Sequence, residues 1–228
     1  FFLQLIIICA RMKIEYFKEK SMKKLTIFIA LLTLIFVFCL CSCAGTPTEG
    51  LKYNLLSDGT YEVSIGSATD VSKIVIPKTV SEKPVTKIAE FGFAGATNIE
   101  SVSLPKTITI ISESAFEGCT GLKKINIPSS VSTVGIFAFS SCESLEKITL
   151  PEEIKELGDG AFCGCTGLKE ISIPSVEITS LGASLLADCT NVESITVPFV
   201  GASKDSDTDL KYIFGDVAPE AQKKKKIL

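Results

Sequence analysis

Residues 135–154 read GIFAFSSCESLEKITLPEEI, and residues 112–131 read SESAFEGCTGLKKINIPSSV, the same skeleton 23 positions earlier. Taking the motif phenylalanine as origin, the series runs Phe93, Phe116, Phe139 and Phe162 at spacings of 23, then Leu186 at 24. Three residues on stand Ala96, Cys119, Cys142, Cys165 and Cys189, and six residues on stand Ile99, Leu122, Leu145, Leu168 and Val192. Nine on come Val102, Ile125, Ile148, Ile171 and Ile195, and eleven on Leu104, Ile127, Leu150, Ile173 and Val197. A proline comes after each, from Pro105 to Pro198, and a half-repeat, Ile74-Val75-Ile76-Pro77, precedes the series.

Steps of three and two in a fixed order match neither a sustained helix nor a sustained strand. They suit a chain that coils and turns selected residues to one interior. The pair at plus nine and plus eleven alternates like a short strand, and the proline after it, having no N–H to donate, stops the ladder. Apolar residues beyond the proline, Ile108/Ile111, Val131/Val134 and Ile154/Leu157, form the opposite wall. A short helical or 3₁₀ turn carries the Ala-Phe-x-x-Cys segment. One such unit cannot bury its apolar side alone, but stacked neighbours share a continuous core. The expected fold is a mainly β repeat solenoid of about five 23-residue coils.

The pattern I-x-x-[IVL]-x-x-x-A-F-x-x-C-x-x-L-x-x-I-x-[IL]-P resembles the BspA-type leucine-rich repeat of bacterial surface proteins, over residues 74–198. The resemblance implies a right-handed superhelix and an exported protein of adhesion or host-protein binding, and it brings no catalytic residues. Two coils depart from the pattern. The fifth has Leu185-Leu186 for Ala-Phe and one extra residue before Leu181; the first has Ala96 for Cys and five extra residues around Ser81 to Pro84.

Apolar residues make up 46% of the 228 and the mean hydropathy is +0.38. Much of this sits in residues 22–43, where Met22-Lys23-Lys24 is followed by an apolar run from Leu25 to Leu40 and then Cys41-Ser42-Cys43. That is export-signal anatomy. Its last four residues resemble the bacterial lipobox, which implies cleavage before Cys43 and lipidation of its sulfur. Leu25 to Cys41 is alternatively an uncleaved anchor at the short limit for spanning. Both readings place the chain beyond Cys43 outside the cytoplasm, since Lys23 and Lys24 hold the start inside. Residues 1–21 lack an initiating Met and read as upstream sequence translated from a misplaced start, so the native chain is expected to begin at Met22.

Residues 44–50 read as a tether and 51–73 as an N-terminal β-hairpin cap, because LKYNLLSDGTYEVSI alternates on both sides of Asp58-Gly59. Residues 199–228 are either a C-terminal cap, through Phe199, Val200, Tyr212, Ile213 and Phe214, or a truncated insertion leading into further repeats.

Beyond residue 43 there are 17 Lys and Arg against 24 Asp and Glu, a formal charge of −7. This argues against a nucleic-acid partner. With no His in the chain the commonest general base is missing, and no nucleophile elbow, phosphate loop or paired carboxylates stand apart from the repeat. No catalytic residue, cofactor or metal is therefore expected. Column cysteines stacked at about 4.8 Å with parallel side chains do not meet the convergent geometry of a disulfide, so they read as small core residues. Cys163 and Cys165 make only a Cys-x-Cys, short of a zinc site. Asp205, Asp207, Asp209 and Asp216 fall at positions 1, 3, 5 and 12 of a calcium-loop template, but Leu210 replaces its turn glycine and Asp216 its bidentate Glu, so a solvated acidic loop is expected.

The remaining candidate is the outward file between the two inward strand residues, Ser103, Asn126, Thr149, Ser172 and Thr196, a shallow polar platform for a protein or glycan. Beside it Glu100, Lys123, Glu146, Lys169 and Glu193 alternate in sign and should pair across the stack. The expectation is a lipid-anchored module at a bacterial cell surface or outer membrane, binding a host or neighbouring-cell surface protein or glycan. The alternative is a spacer that holds another domain off the membrane.

Overall fold

The computed structural model describes residues 46–175, 177–199, 201–203 and 210–215. The chain divides into two compact units, residues 1–46 and 47–228, and the strands and helix among the described residues lie in the second. In chain order they are β1 (Lys52–Leu55), β2 (Tyr61–Ser64), β3 (Lys73–Val75), β4 (Thr79–Val80), β5 (Lys83–Ile88), β6 (Ser101–Ser103), β7 (Ile110–Ile111), β8 (Lys124–Asn126), β9 (Thr133–Val134), β10 (Lys147–Thr149), β11 (Glu156–Leu157), β12 (Glu170–Ser172), β13 (Ser194–Thr196) and a one-turn helix α1 (Leu210–Phe214).

These strands are the walls of a mainly β solenoid. One wall holds the three-residue strands that precede the prolines: β3-β6-β8 form one parallel sheet and β10-β12-β13 another. The second wall runs β1-β2-β5-β7-β9-β11, parallel from β2 onward, with β1 antiparallel to β2. Between the walls the Ala-Phe-x-x-Cys segment is a chain of turns, each closed by a hydrogen bond over three residues, as from Cys119 N to Phe116 O at 3.2 Å.

The fixed period puts like over like. Phe93, Phe116, Phe139 and Phe162 are fully buried, and their rings stack at centroid distances of 5.2, 5.3 and 5.4 Å with interplanar angles of 14°, 9° and 5°. Near-parallel rings at that spacing are a favourable aromatic arrangement, adding to the large area each ring removes from water. Leu122, Leu145 and Leu168 are likewise buried, as are Ile108/Ile111, Val131/Val134 and Ile154/Leu157 on the second wall.

Among the described residues six coils are present, one more than align on the phenylalanine. The extra coil lies at the N-terminal side. Ile65 N donates to Gly92 O at 2.8 Å as Phe93 N does to Ala115 O, and Ala68 N donates to Ile65 O as Ala96 N does to Phe93 O. Ile65, Ala68, Val71, Ile74 and Ile76 therefore fill the columns, and β2 is both a hairpin arm and the first parallel strand of the second wall. The five inserted residues hide this phase. They form the hairpin of β4 and β5, in which Ser81 and Glu82 at φ 47° and 66° make the two-residue turn, the left-handed pair of a type I′ connection.

Chain segments also lie along the ends of these coils. Thr48 N donates to Val75 O and Thr48 Oγ1 accepts from Val75 N, so the segment before β1 runs along the free edge of β3. At the other end Leu186 N donates to Ile213 O and Ser184 N to Tyr212 O, while Ser180 and Ser203 form an antiparallel bridge. Phe214 is buried.

Four residues expected to face inward, Ala96, Leu104, Ile125 and Ile195, are only partly buried. Leu104 and Ile125 line a shallow hollow of about 400 Å³ in the β6–β8 face, beside the place where the first wall is interrupted.

Candidate functional site

The interruption falls between β8 and β10. Every other neighbouring pair in the first wall keeps its register, Lys73 opposite Ser101, Ser101 opposite Lys124, Lys147 opposite Glu170 and Glu170 opposite Ser194. The 23-residue period would set Lys147 opposite Lys124, two like charges, and like charges directly opposite destabilise a strand pair. Lys147 turns instead to Glu170, with Nζ–Oε1 at 2.7 Å. The same two coils stay joined elsewhere: Phe116 N donates to Ala138 O, Ser144 N to Thr120 O, and β9 pairs with β11. Only the exposed strand face opens.

The file Ser103, Asn126, Thr149, Ser172 and Thr196 lies on this face and is divided by the opening. Ser103 stands opposite Asn126, and Thr149 opposite Ser172, which stands opposite Thr196. Four are exposed and Ser172 is half-buried. Among the described residues none of these five side chains makes a hydrogen bond within the protein, so their donors and acceptors face solvent. The rim is paired: Lys123 Nζ lies 3.0 Å from Glu100 and Lys169 Nζ 3.2 Å from Glu146. Exposed pairs of this kind are worth about 0–1 kcal/mol each, enough to order the rim but not to hold the fold.

The thiol column does more than fill space. Cys119, Cys142, Cys165 and Cys189 are buried, and each Sγ donates to the carbonyl of the column residue in the preceding coil: Phe93, Phe116, Phe139 and Phe162, at 3.1, 3.3, 3.1 and 3.0 Å. A cysteine is thus an apolar filler that also supplies a weak donor, which alanine could not. Burial pushes the Cys119 thiol up to about 12. The neighbouring thiol of Cys142 raises Cys165, that of Cys165 raises Cys189, and burial adds to both. The Cys119, Cys165 and Cys189 sulfurs are therefore protonated at neutral pH and unsuited to act as nucleophiles. Cys163, outside the column and partly buried, is raised by burial and by Asp188.

Among the described residues no group of three or more His, Cys, Asp or Glu is placed to hold a metal ion, and no helix is long and apolar enough to cross a membrane. Cys43, the segment 22–43 and Asp205 to Asp209 with Asp216 lie outside the described residues.

The columns give no hint of the backbone two residues before each origin. Phe91, Ser114, Phe137, Gly160 and Ser184 all adopt left-handed φ, between 49° and 57°. Two of the five are aromatic and exposed, Phe91 by 58% and Phe137 by 42%. The Phe137 ring lies over Gly160, where an added Cβ would collide with its edge. The signal was present as two bulky residues in a file otherwise filled by Ser and Gly.

The comparisons agree with this geometry. A family model described as the BspA type leucine rich repeat region matches residues 86–203 with six copies. Among solved structures, a Treponema pallidum leucine rich repeat protein, TpLRR, is 25% identical, over 75% of this chain and 91% of that one, with a TM-score of 0.54. A leucine-rich repeat protein from Eubacterium ventriosum is 21% identical over 64% of this chain and 39% of that one, at TM-score 0.50. The pneumococcal vaccine antigen PcpA is 21% identical over 76% and 41%, also at 0.50. No curated protein matches the chain. Stacked Phe, Cys and Leu columns, six coils and a matching model over more than half the residues lead to one conclusion: the chain belongs to the BspA-type leucine-rich repeat family.

Proposed function

We propose that the chain is a non-catalytic binding module that works outside the cytoplasm and takes a protein or glycan partner on its first wall. The observation that carries this is the file Ser103, Asn126, Thr149, Ser172 and Thr196, outward-facing and without internal hydrogen bonds among the described residues. Buried polar groups in folded proteins find partners, and exposed ones free of internal bonds are available to a ligand. A row of small hydroxyl and amide groups, framed by charges that neutralise one another, favours a flat, polar and hydrogen-bonding partner surface. The export-like residues 22–43 and the lipidation reading at Cys43 support display from a membrane, at a bacterial surface or outer membrane.

The test replaces Asn126, Thr149 and Ser172 together by Ala and measures attachment of cells displaying the full chain to host matrix proteins and glycans. Attachment should fall severalfold with the melting temperature unchanged. Undiminished attachment would remove the platform and favour the spacer reading.

A further inference from the structure

A second surface stands apart from this file, on the other wall, where the N-terminal hairpin meets the first coils. Here β1, β2 and β5 lie side by side, and the registers Asn54 opposite Glu62 and Glu62 opposite Lys87 set three polar side chains in a row across the strands. Asn54 Nδ2 donates to Glu62 Oε1 at 3.1 Å, and Lys87 Nζ lies 3.8 Å from Glu62 Oε2. The Lys87 and Glu62 side chains are only 27% and 19% exposed, so this row is held in place rather than waving in solvent. It forms part of a cleft of about 510 Å³ that also includes Lys52, Glu90 and Phe91, within the range of small-ligand clefts, about 300–1,000 Å³.

Phe91 makes this a site rather than a hollow. It is the most exposed large apolar side chain among the described residues, and its backbone is left-handed at φ 52°. That backbone belongs to the repeat and recurs in the following coils, so what sets Phe91 apart is a bulky, exposed aromatic where positive φ favours small residues. The equivalent positions Ser114, Gly160 and Ser184 meet the same backbone requirement with small residues. Phe137, the other aromatic, rests its ring on Gly160.

We propose that this cleft binds a neutral saccharide, with one sugar ring stacked on Phe91 and its hydroxyls meeting the Asn54–Glu62–Lys87 row. Two arguments select that chemistry. The charges cancel, Lys52 and Lys87 against Glu62 and Glu90, so neither an anionic nor a cationic ligand gains from the cleft as a whole. The groups still free to bond among the described residues are of both kinds: the Asn54 Oδ1 and the Glu90 carboxylate accept, and the Lys52 ammonium donates. A pyranose matches this, carrying hydroxyls that both donate and accept around a ring whose C–H face suits the negative face of an aromatic ring. The site is independent of the strand-face reading, because the two lie on different walls.

The experiment titrates the full chain with cellotetraose, maltotetraose and chitotetraose, separately, in ligand-observed NMR at millimolar sugar, with a sulfated tetrasaccharide as the anionic control. At least one neutral sugar should bind, and Phe91→Ala should weaken it by about 2- to 10-fold, the worth of one aromatic contact. Phe91→Tyr should retain binding, Asn54→Ala should weaken it, and Asn126→Ala with Thr149→Ala and Ser172→Ala should leave it unchanged. Phe91, Asn54, Asn126 and Thr149 are exposed and Ser172 is half-buried, a small side chain without internal hydrogen bonds among the described residues, so the melting temperatures should stay near the wild-type value. No binding by any neutral sugar would overturn the proposal, as would wild-type affinity in both Phe91→Ala and Asn54→Ala or binding of the sulfated sugar alone.

Discussion

The two walls of the solenoid obey the same 23-residue rule with different success. The second wall is made largely of two-residue strands, yet it pairs without interruption from β2 to β11. The first wall has three-residue strands and splits in the middle. Strand length therefore does not decide continuity here. Inside both walls the stacked residues are alike and apolar, and likeness there is favourable because each coil buries its neighbour's surface. Outside, likeness becomes harmful when the repeated residue is charged. Lys124 below Lys147 is such a case, and that is where the ladder stops, while Lys147 beside Glu170 is bonded at 2.7 Å. Repetition is thus a packing rule for the interior and a hazard for the surface, which the chain manages elsewhere by alternating sign, as in Glu100–Lys123 and Glu146–Lys169.

Removing an interior member should have the largest effect. Phe139→Ala takes one ring from the middle of the stack, between Phe116 and Phe162, and is expected to cost about 3–5 kcal/mol. Denaturant unfolding would measure it. A loss of that size with one sharp transition supports a shared core, whereas a shift near zero would mean the interior does not depend on its columns.

Changing the surface should do less and in the opposite direction. Lys124→Glu places a negative charge opposite Lys147 and is expected to stabilise by about 0.2–1 kcal/mol, the scale of a cross-strand pair. The sharper readout is hydrogen exchange: the amides of Lys147 and Thr149, which lack partners in β8, should become protected toward the level of Glu170 and Ser172. Unchanged exchange would show that the like charges are not the cause of the opening.

The columns were legible in the sequence because interior positions tolerate few residue types, so Phe93 to Phe162, Leu122 to Leu168 and the prolines announce their own phase. The first coil was not, since Ile65, Ala68 and Val71 match the columns only after the hairpin of β4 and β5 is looped out. The outward direction of Ser103, Asn126, Thr149, Ser172 and Thr196 followed from strand alternation alone. The division of that file did not, because it depends on Lys124 and Lys147, whose type says nothing until their register is known. The thiol donors were invisible for a related reason: a sequence shows that Cys119 is small and apolar, and only the coil geometry shows Phe93 O waiting 3.1 Å away. The Phe91 cleft draws on three strands and a left-handed residue, a conjunction that no single motif spells.

If each coil is held by its immediate neighbours through stacked columns, coupling between rings must fall off along the stack, and a pair of double-mutant cycles measures that fall. Phe116→Leu with Phe139→Leu probes rings 5.3 Å apart, and Phe93→Leu with Phe162→Leu probes the two ends of the ring stack. Nearest-neighbour packing gives a coupling of about 0.5–1.5 kcal/mol for the adjacent pair and additivity within about 0.3–0.5 kcal/mol for the separated one. Equal coupling in both cycles would contradict it.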